Sequence, residues 1–128
     1  MNSCVLDASA LLAVINGETG WEKVLSQLPH AAISSVNLSE VAAKLAEREE
    51  LPIDNIRSRL SQYELSVVEF DEQLAFAAAA LRPLTRHLGL SLGDRACLAT
   101  AARQKLPAMT AEREWKKLKL GIAIELIR

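Results

Sequence analysis

Ser3-Cys4-Val5-Leu6-Asp7-Ala8-Ser9-Ala10-Leu11-Leu12-Ala13 decides how the chain is built. Ser3 to Leu6 is a brief apolar run that reads as a buried strand. It stops at Asp7, and Ala8 to Ile15 continues as a helix ending near Gly17. A strand handing over directly to a helix is the first half of a βαβ unit, and the same alternation of short apolar runs with helical segments continues along the chain.

Working outward, Glu18 to Leu28 sets Trp21, Val24, Leu25 and Leu28 on one stripe and predicts a second helix, halted before Pro29. Ala31 to Ser34 is a second strand. Val36 to Glu49 carries Leu38, Val41, Ala42 and Leu45 at helical spacing, and Pro52 to Tyr63 repeats this with Ile53, Ile56, Leu60 and Tyr63. Leu65 to Glu69 is a third strand. Asp71 opens a long alanine-rich helix with Leu74, Ala78, Leu81 and Leu84 inside, a kink at Pro83 and an end at Gly89. Gly93 to Lys105 is a further helix, Ala108 to Thr110 a weak strand, Glu112 to Leu118 a short helix and Ile122 to Ile127 a closing strand. The order predicts an α/β fold: a three-layer α/β/α sandwich around a central, mostly parallel sheet, as a single domain over residues 1–128.

Composition narrows the function classes. Half of the residues are apolar, ample for a core, and the formal net charge of −1 removes any argument from overall basicity for nucleic-acid binding. Cys4 and Cys97 have neither metal-ligand spacing nor enough company for a disulfide framework, and read as two buried thiols. The first residues lack the pattern of a signal peptide, and no apolar stretch approaches the roughly 20 residues needed to cross a bilayer. A cytoplasmic protein without membrane contact is the expectation.

Four acids stand where a strand runs out or a helix begins: Asp7, Glu40, Asp94 and Glu112. Ligands of parallel sheets gather beyond the carboxyl ends of the strands. Asp7 and Glu112 follow strands, and Glu40 and Asp94 lie in first helical turns that point back to the same edge, so the spacing permits all four to meet. Carboxylates gathered there suit hard divalent cations. Each also has a plainer reading. Asp7 fits an N-cap, Asn37 with Glu40 and Ser91 with Asp94 fit capping boxes, and Glu112 is favoured by the helix dipole.

Val5-Leu6-Asp7-Ala8-Ser9, Asn37-Leu38-Ser39-Glu40-Val41, Gly89-Leu90-Ser91-Leu92-Gly93-Asp94-Arg95-Ala96 and Thr110-Ala111-Glu112-Arg113-Glu114-Trp115, in this order and over essentially the whole length, resemble the PIN domain, and more narrowly the ribonuclease toxins of the VapC type. The chain departs from the family in having Glu112 where Asp is usual, which sets that carboxylate one methylene further out. The resemblance implies a metal-dependent endoribonuclease in which Asp7, Glu40 and Asp94 hold one or two Mg²⁺ or Mn²⁺ ions, with Glu112 assisting directly or through water. It also implies an RNA substrate, a cognate antitoxin that holds the enzyme inactive, and a homodimer.

Smaller roles follow from position. Ser9 and Asn37 stand close enough to Asp7 and Glu40 to orient them or touch phosphate, and Thr110, Arg95 and Arg113 flank the acids as candidate substrate contacts. Arg86, Lys116, Lys117 and Lys119 extend these arginines into a possible basic rim or a merely solvated face. Trp115 reads as a core anchor. Trp21 reads as core with a possible reach to a partner surface, and His30 and His87 as ordinary surface residues. Competing readings are a non-catalytic PIN-like module that binds RNA or protein, or an unrelated acid-edged α/β domain. A haloacid-type phosphatase needs a second Asp where Ser9 stands, and a phosphoryl-transfer receiver needs a late Lys where Thr110 and Glu112 stand.

Overall fold

The computed structural model describes residues 1–128. Strands β1 (Cys4–Leu6), β2 (Ala31–Ser34), β3 (Ser66–Val68), β4 (Ala108–Thr110) and β5 (Ile124–Leu126) form one sheet in the order β3-β2-β1-β4-β5. Every neighbouring pair is parallel, so the sheet is wholly rather than mostly so. The helices are α1 (Ala8–Asn16), α2 (Trp21–Leu25), α3 (Ser35–Glu49), α4 (Ile53–Ser61), α5 (Glu72–Ala80), α6 (Arg82–Thr85) and α7 (Leu92–Gln104), with 3₁₀ turns at Arg86–Leu88 and Arg113–Lys117.

Strand side chains alternate between faces, which is what separates the layers. Cys4, Leu6, Ala31, Ile33 and Met109 point to one side, where Leu11, Val24, Val41, Leu45 and Ile56 of α1 to α4 close a core over them. Val5, Ala32 and Ala108 point to the other, against Cys97, Leu98 and Ala101 of α7 and the buried Trp115. Outside α7 lies α5, with Leu74 and Ala78 on Ala99. The result is the expected α/β/α sandwich. Its middle strands are buried on both faces, while β3, at the edge, leaves Ser66 and Val67 exposed.

Three helices differ from the sequence expectation. The second is only Trp21–Leu25, because Gly20 before it adopts φ 94° and continues as tighter turns to Leu28 after it. A Cβ at Gly20 would lie 2.2 Å from the Ile127 carbonyl oxygen, so the chain end after β5 packs onto this turn only because a glycine is there. The long helix from Asp71 is broken rather than kinked. Pro83 has no N–H to continue α5 and instead occupies the first turn of α6, where none is needed. The break turns Leu84 outward, to 58 % exposure, although the periodicity set it inside. Finally, α3 begins at Ser35, with Ser34 as its cap accepting from the Val36 N–H at 3.2 Å, so Asn37 is not a capping residue.

Trp115 is 1 % exposed and belongs to the second core, as the sequence reading had it. Trp115→Ala should lower the unfolding free energy by about 3–5 kcal/mol, read from urea denaturation by circular dichroism. A loss under about 1 kcal/mol would place the ring outside the core.

Candidate metal centre

The carboxyl edge of the sheet is organised around Asp7. It follows β1, the middle strand, and the parallel register that sets Leu6 beside Met109 brings Asp7 level with Thr110 of β4. The side chain is 2 % exposed. One carboxylate oxygen accepts from the Ser9 hydroxyl at 2.7 Å and from the Ala10 N–H at 2.9 Å, and the other from the Thr110 hydroxyl at 2.5 Å. Asp7 is therefore the N-cap of α1 and a buried acid at once. Burial raises its pKa from the ordinary 3.8 to about 6, the three hydrogen bonds pulling the other way and the charge of Asp94 adding to the rise.

Glu40 and Asp94 meet at the N-terminal ends of α3 and α7. Asn37 is buried and donates through its amide to the Glu40 carboxylate at 3.2 Å and to the Gly93 carbonyl at 3.0 Å, tying the two helices together. Gly93 matters for the side chain it lacks. A Cβ there would lie 2.0 Å from Glu40 Oε1, so the carboxylate occupies space that any other residue would fill. Burial and then the charge of Asp94 raise the pKa of Glu40, while Lys44 and the Asn37 amide lower it. Asp94 closes a capping box with Ser91, accepting from the Ser91 N–H at 3.0 Å while its own N–H donates to Ser91 Oγ at 3.2 Å. One oxygen of Asp94 is engaged this way and the other has no partner in the fold.

Asp7, Glu40, Asp94 and Glu112 all line one polar cleft of about 280 Å³, together with Ser9, Asn37, Glu18, Lys44 and Arg128. The spacing argument thus holds: four acids from four separate segments share one edge of the sheet. They do not form a closed cage, since no three of them stand together at ligand distance. Glu112 is exposed and makes no cap bond, so it is free to turn. The chemistry of the cleft fits a hard divalent cation, because every available donor is an oxygen. Asn37 Oδ1 adds a buried acceptor with no hydrogen-bond partner, one that a cation or its water would satisfy. A larger groove of about 780 Å³ between α3, α4 and the β3 edge is mostly apolar and holds Glu64 as its one acid, so it is not where this chemistry resides.

The expected substrate contacts separate into groups. Ser9 and Thr110 serve Asp7: each donates its hydroxyl to the carboxylate and accepts a backbone N–H, from Ala111 at 2.9 Å and Glu112 at 3.0 Å. Thr110 is fully buried, and its hydroxyl is engaged with Asp7. Arg95 does not line the cleft. It is 8 % exposed and donates to the Ala78 carbonyl at 3.0 Å, holding α7 to the last turn of α5, away from the cleft. Arg113 is exposed but lies outside the cleft lining, as do Arg86, Lys116, Lys117 and Lys119, and Lys117 pairs with Glu114 at 2.9 Å.

Sequence reasoning passed over Glu18, Lys44 and Arg128. Lys44 was accessible, four residues after Glu40 on the same helical face. Glu18 and Arg128 meet only because the chain after β5 returns to the α1–α2 turn, where Arg128 donates to the Thr19 carbonyl at 2.9 Å and pairs with Glu18 at 3.4 Å.

Comparison with known proteins identifies the family and the fold. A family model described as PIN domain matches residues 4–120. The ribonuclease VapC42 of Mycobacterium tuberculosis is 31 % identical over 106 residues, covering 76 % of this chain and 81 % of the relative. Among solved structures, DNA-bound VapBC from Salmonella typhimurium aligns over 100 % of both chains with a TM-score of 0.76 at 20 % identity. A toxin-antitoxin complex from Klebsiella pneumoniae aligns over 88 % of this chain and 90 % of its own, with a TM-score of 0.69 at 23 % identity. The chain belongs to the PIN domain family, among the VapC-type ribonucleases.

Proposed function

We propose that this chain is a divalent-metal-dependent endoribonuclease, the toxin of a type II toxin-antitoxin pair, working in the cytoplasm as a homodimer and restrained by its cognate antitoxin. The observation that carries the reading is the gathering of Asp7, Glu40, Asp94 and Glu112 in one cleft at the carboxyl edge of the sheet. Asp7, Glu40 and Asp94 are the residues that hold Mg²⁺ or Mn²⁺, with Glu112 at the exposed side of the cleft. A metal held by these carboxylates would supply an activated water as nucleophile and offset charge developing on the scissile phosphate. The protein's own part is positional. Ser9, the Ala10 N–H and Thr110 fix the Asp7 carboxylate, and Asn37 and Gly93 hold Glu40 beside α7. The apolar groove between α3 and α4, and the exposed Phe76, Leu84 and Leu92, provide surface for protein partners.

Asp7→Asn and Asp94→Asn should each abolish Mn²⁺-dependent cleavage of a structured RNA while the circular dichroism spectrum stays unchanged. Activity surviving both changes would end the nuclease reading.

The raised pKa of Asp7 sets a pH dependence. Because its folded value lies above the ordinary one, Asp7 contributes stability to the metal-free protein that is complete below about pH 4 and lost as the pH rises through about 6, a change of roughly 3 kcal/mol. Thermal melts in EDTA should therefore show Asp7→Asn more stable than the wild type at pH 7 and level with it at pH 4. Wild-type affinity for Mn²⁺, by calorimetry, should fall as the pH drops through 6.

Gly93→Ala separates site from fold. Its methyl group displaces the movable end of Glu40 rather than backbone, so the melting temperature should change little while Mn²⁺ affinity drops about tenfold or more, the equivalent of about 1.4 kcal/mol. Unaltered Mn²⁺ binding would remove Glu40 from the metal ligands.

A further inference from the structure

The cleft has an electrostatic difficulty that its acids do not resolve. It is lined by five carboxylates, those of Asp7, Glu18, Glu40, Asp94 and Glu112, against two cations, Lys44 and Arg128. A polyanion approaching that edge is repelled, and a metal deep in the cleft offsets only the charge next to it. The overall charge of −1 gives no long-range attraction either. The exposed basic residues that the sequence suggested as a rim lie off the lining, and Arg95 is turned inward. Lys44 and Arg128 are the two cations that line the cleft itself, and so the ones placed beside the acids.

Both are built for it. Lys44 is exposed, lies one turn beyond Glu40 on α3, and makes neither an ion pair nor a hydrogen bond in the fold, so its ammonium is available. Arg128 is oriented in advance. One guanidinium nitrogen is fixed on the Thr19 carbonyl and another on Glu18, which sets its plane at the cleft, and a fork of five donors retains N–H groups beyond these two contacts. The two come from either side of the central strands, Lys44 on the helix after β2 and Arg128 after the edge strand β5, with β1 and β4 between. Gly20, by admitting the Ile127 carbonyl so closely, brings Arg128 to this position.

We propose that Lys44 and Arg128 are phosphate-binding residues that contact the RNA backbone at the carboxylate cleft, Lys44 as a mobile point charge and Arg128 as an oriented fork. The proposal rests on the ribonuclease reading and names how that same site takes its substrate. Neither residue contacts the reacting atoms, so their effect is on binding rather than on the chemical step.

The test combines steady-state cleavage of a single-stranded RNA in Mn²⁺ with fluorescence-anisotropy binding of the same RNA in EDTA, each across a salt series. Lys44→Ala and Arg128→Ala should each raise KM about three- to tenfold with kcat within about twofold. Each should also lower the slope of log affinity against log salt by about 0.7, the value for one single-strand phosphate contact. Lys44→Arg and Arg128→Lys should restore most of the salt slope, which a merely structural role for Arg128 at the α1–α2 turn would not do. Wild type that cleaves RNA while both variants keep its KM and salt slope would overturn the proposal and leave the ribonuclease reading standing. Wild type that binds RNA without cleaving it, the variants losing that binding, would overturn the ribonuclease reading and support the contacts. No binding and no cleavage by the wild type would overturn both.

Discussion

One buried charge organises this molecule. Asp7 sits at the end of the middle strand with almost no exposure, and everything that makes this tolerable comes from three segments at once: Ser9 and the Ala10 N–H from α1, Thr110 from β4, and the strand β1 that carries it. Hydrogen bonds to a charged group contribute about 1.5–3 kcal/mol each, and with three of them a carboxylate survives where water does not reach. They do not cancel the cost of desolvation, since the pKa remains high at about 6. That residual strain requires β4 beside β1, in the register that pairs Leu6 with Met109, and so links the strand order to the site.

The same logic explains what the sequence disclosed and what it withheld. Short apolar runs and helical stripes are local signals, and they placed all five strands and the main helices because each can be read from neighbouring residues alone. The acids were legible for a related reason. A residue that ends a strand or starts a helix in a parallel sheet has its direction set by that role, so four scattered acids can be assigned to one edge without knowing any contact. Asp94 shows that the capping reading and the site reading need not compete, because a single carboxylate uses one oxygen for the Ser91 N–H and keeps the other.

Side-chain direction within a helix was less accessible. Arg95 adjoins Asp94 in sequence, yet consecutive residues on a helix point about 100° apart, and the turn that aims Asp94 at the cleft aims Arg95 at the Ala78 carbonyl. Asn37 looked like a cap because nothing local distinguishes it from one. Only Ser34 taking that role, together with the close approach of Gly93, shows that its amide joins α3 to α7. Arg128 was out of reach for a third reason, since its partners Glu18 and Thr19 lie more than a hundred positions away in the chain.

Apart from the unpaired Nε of the buried Arg95, three irregular features gather around the carboxylate cleft. A well-packed α/β core has no need of an unpaired buried acceptor, a charged group with its pKa forced upward, or a helix start whose glycine leaves room for a neighbour's carboxylate. All three occur within the same cleft, at Asn37, Asp7 and Gly93. Under the proposed reading, a single cation held there would relieve the charge and the unpaired oxygen together. Where local rules of folding are broken jointly and their costs share one remedy, the remedy is what the site was shaped for.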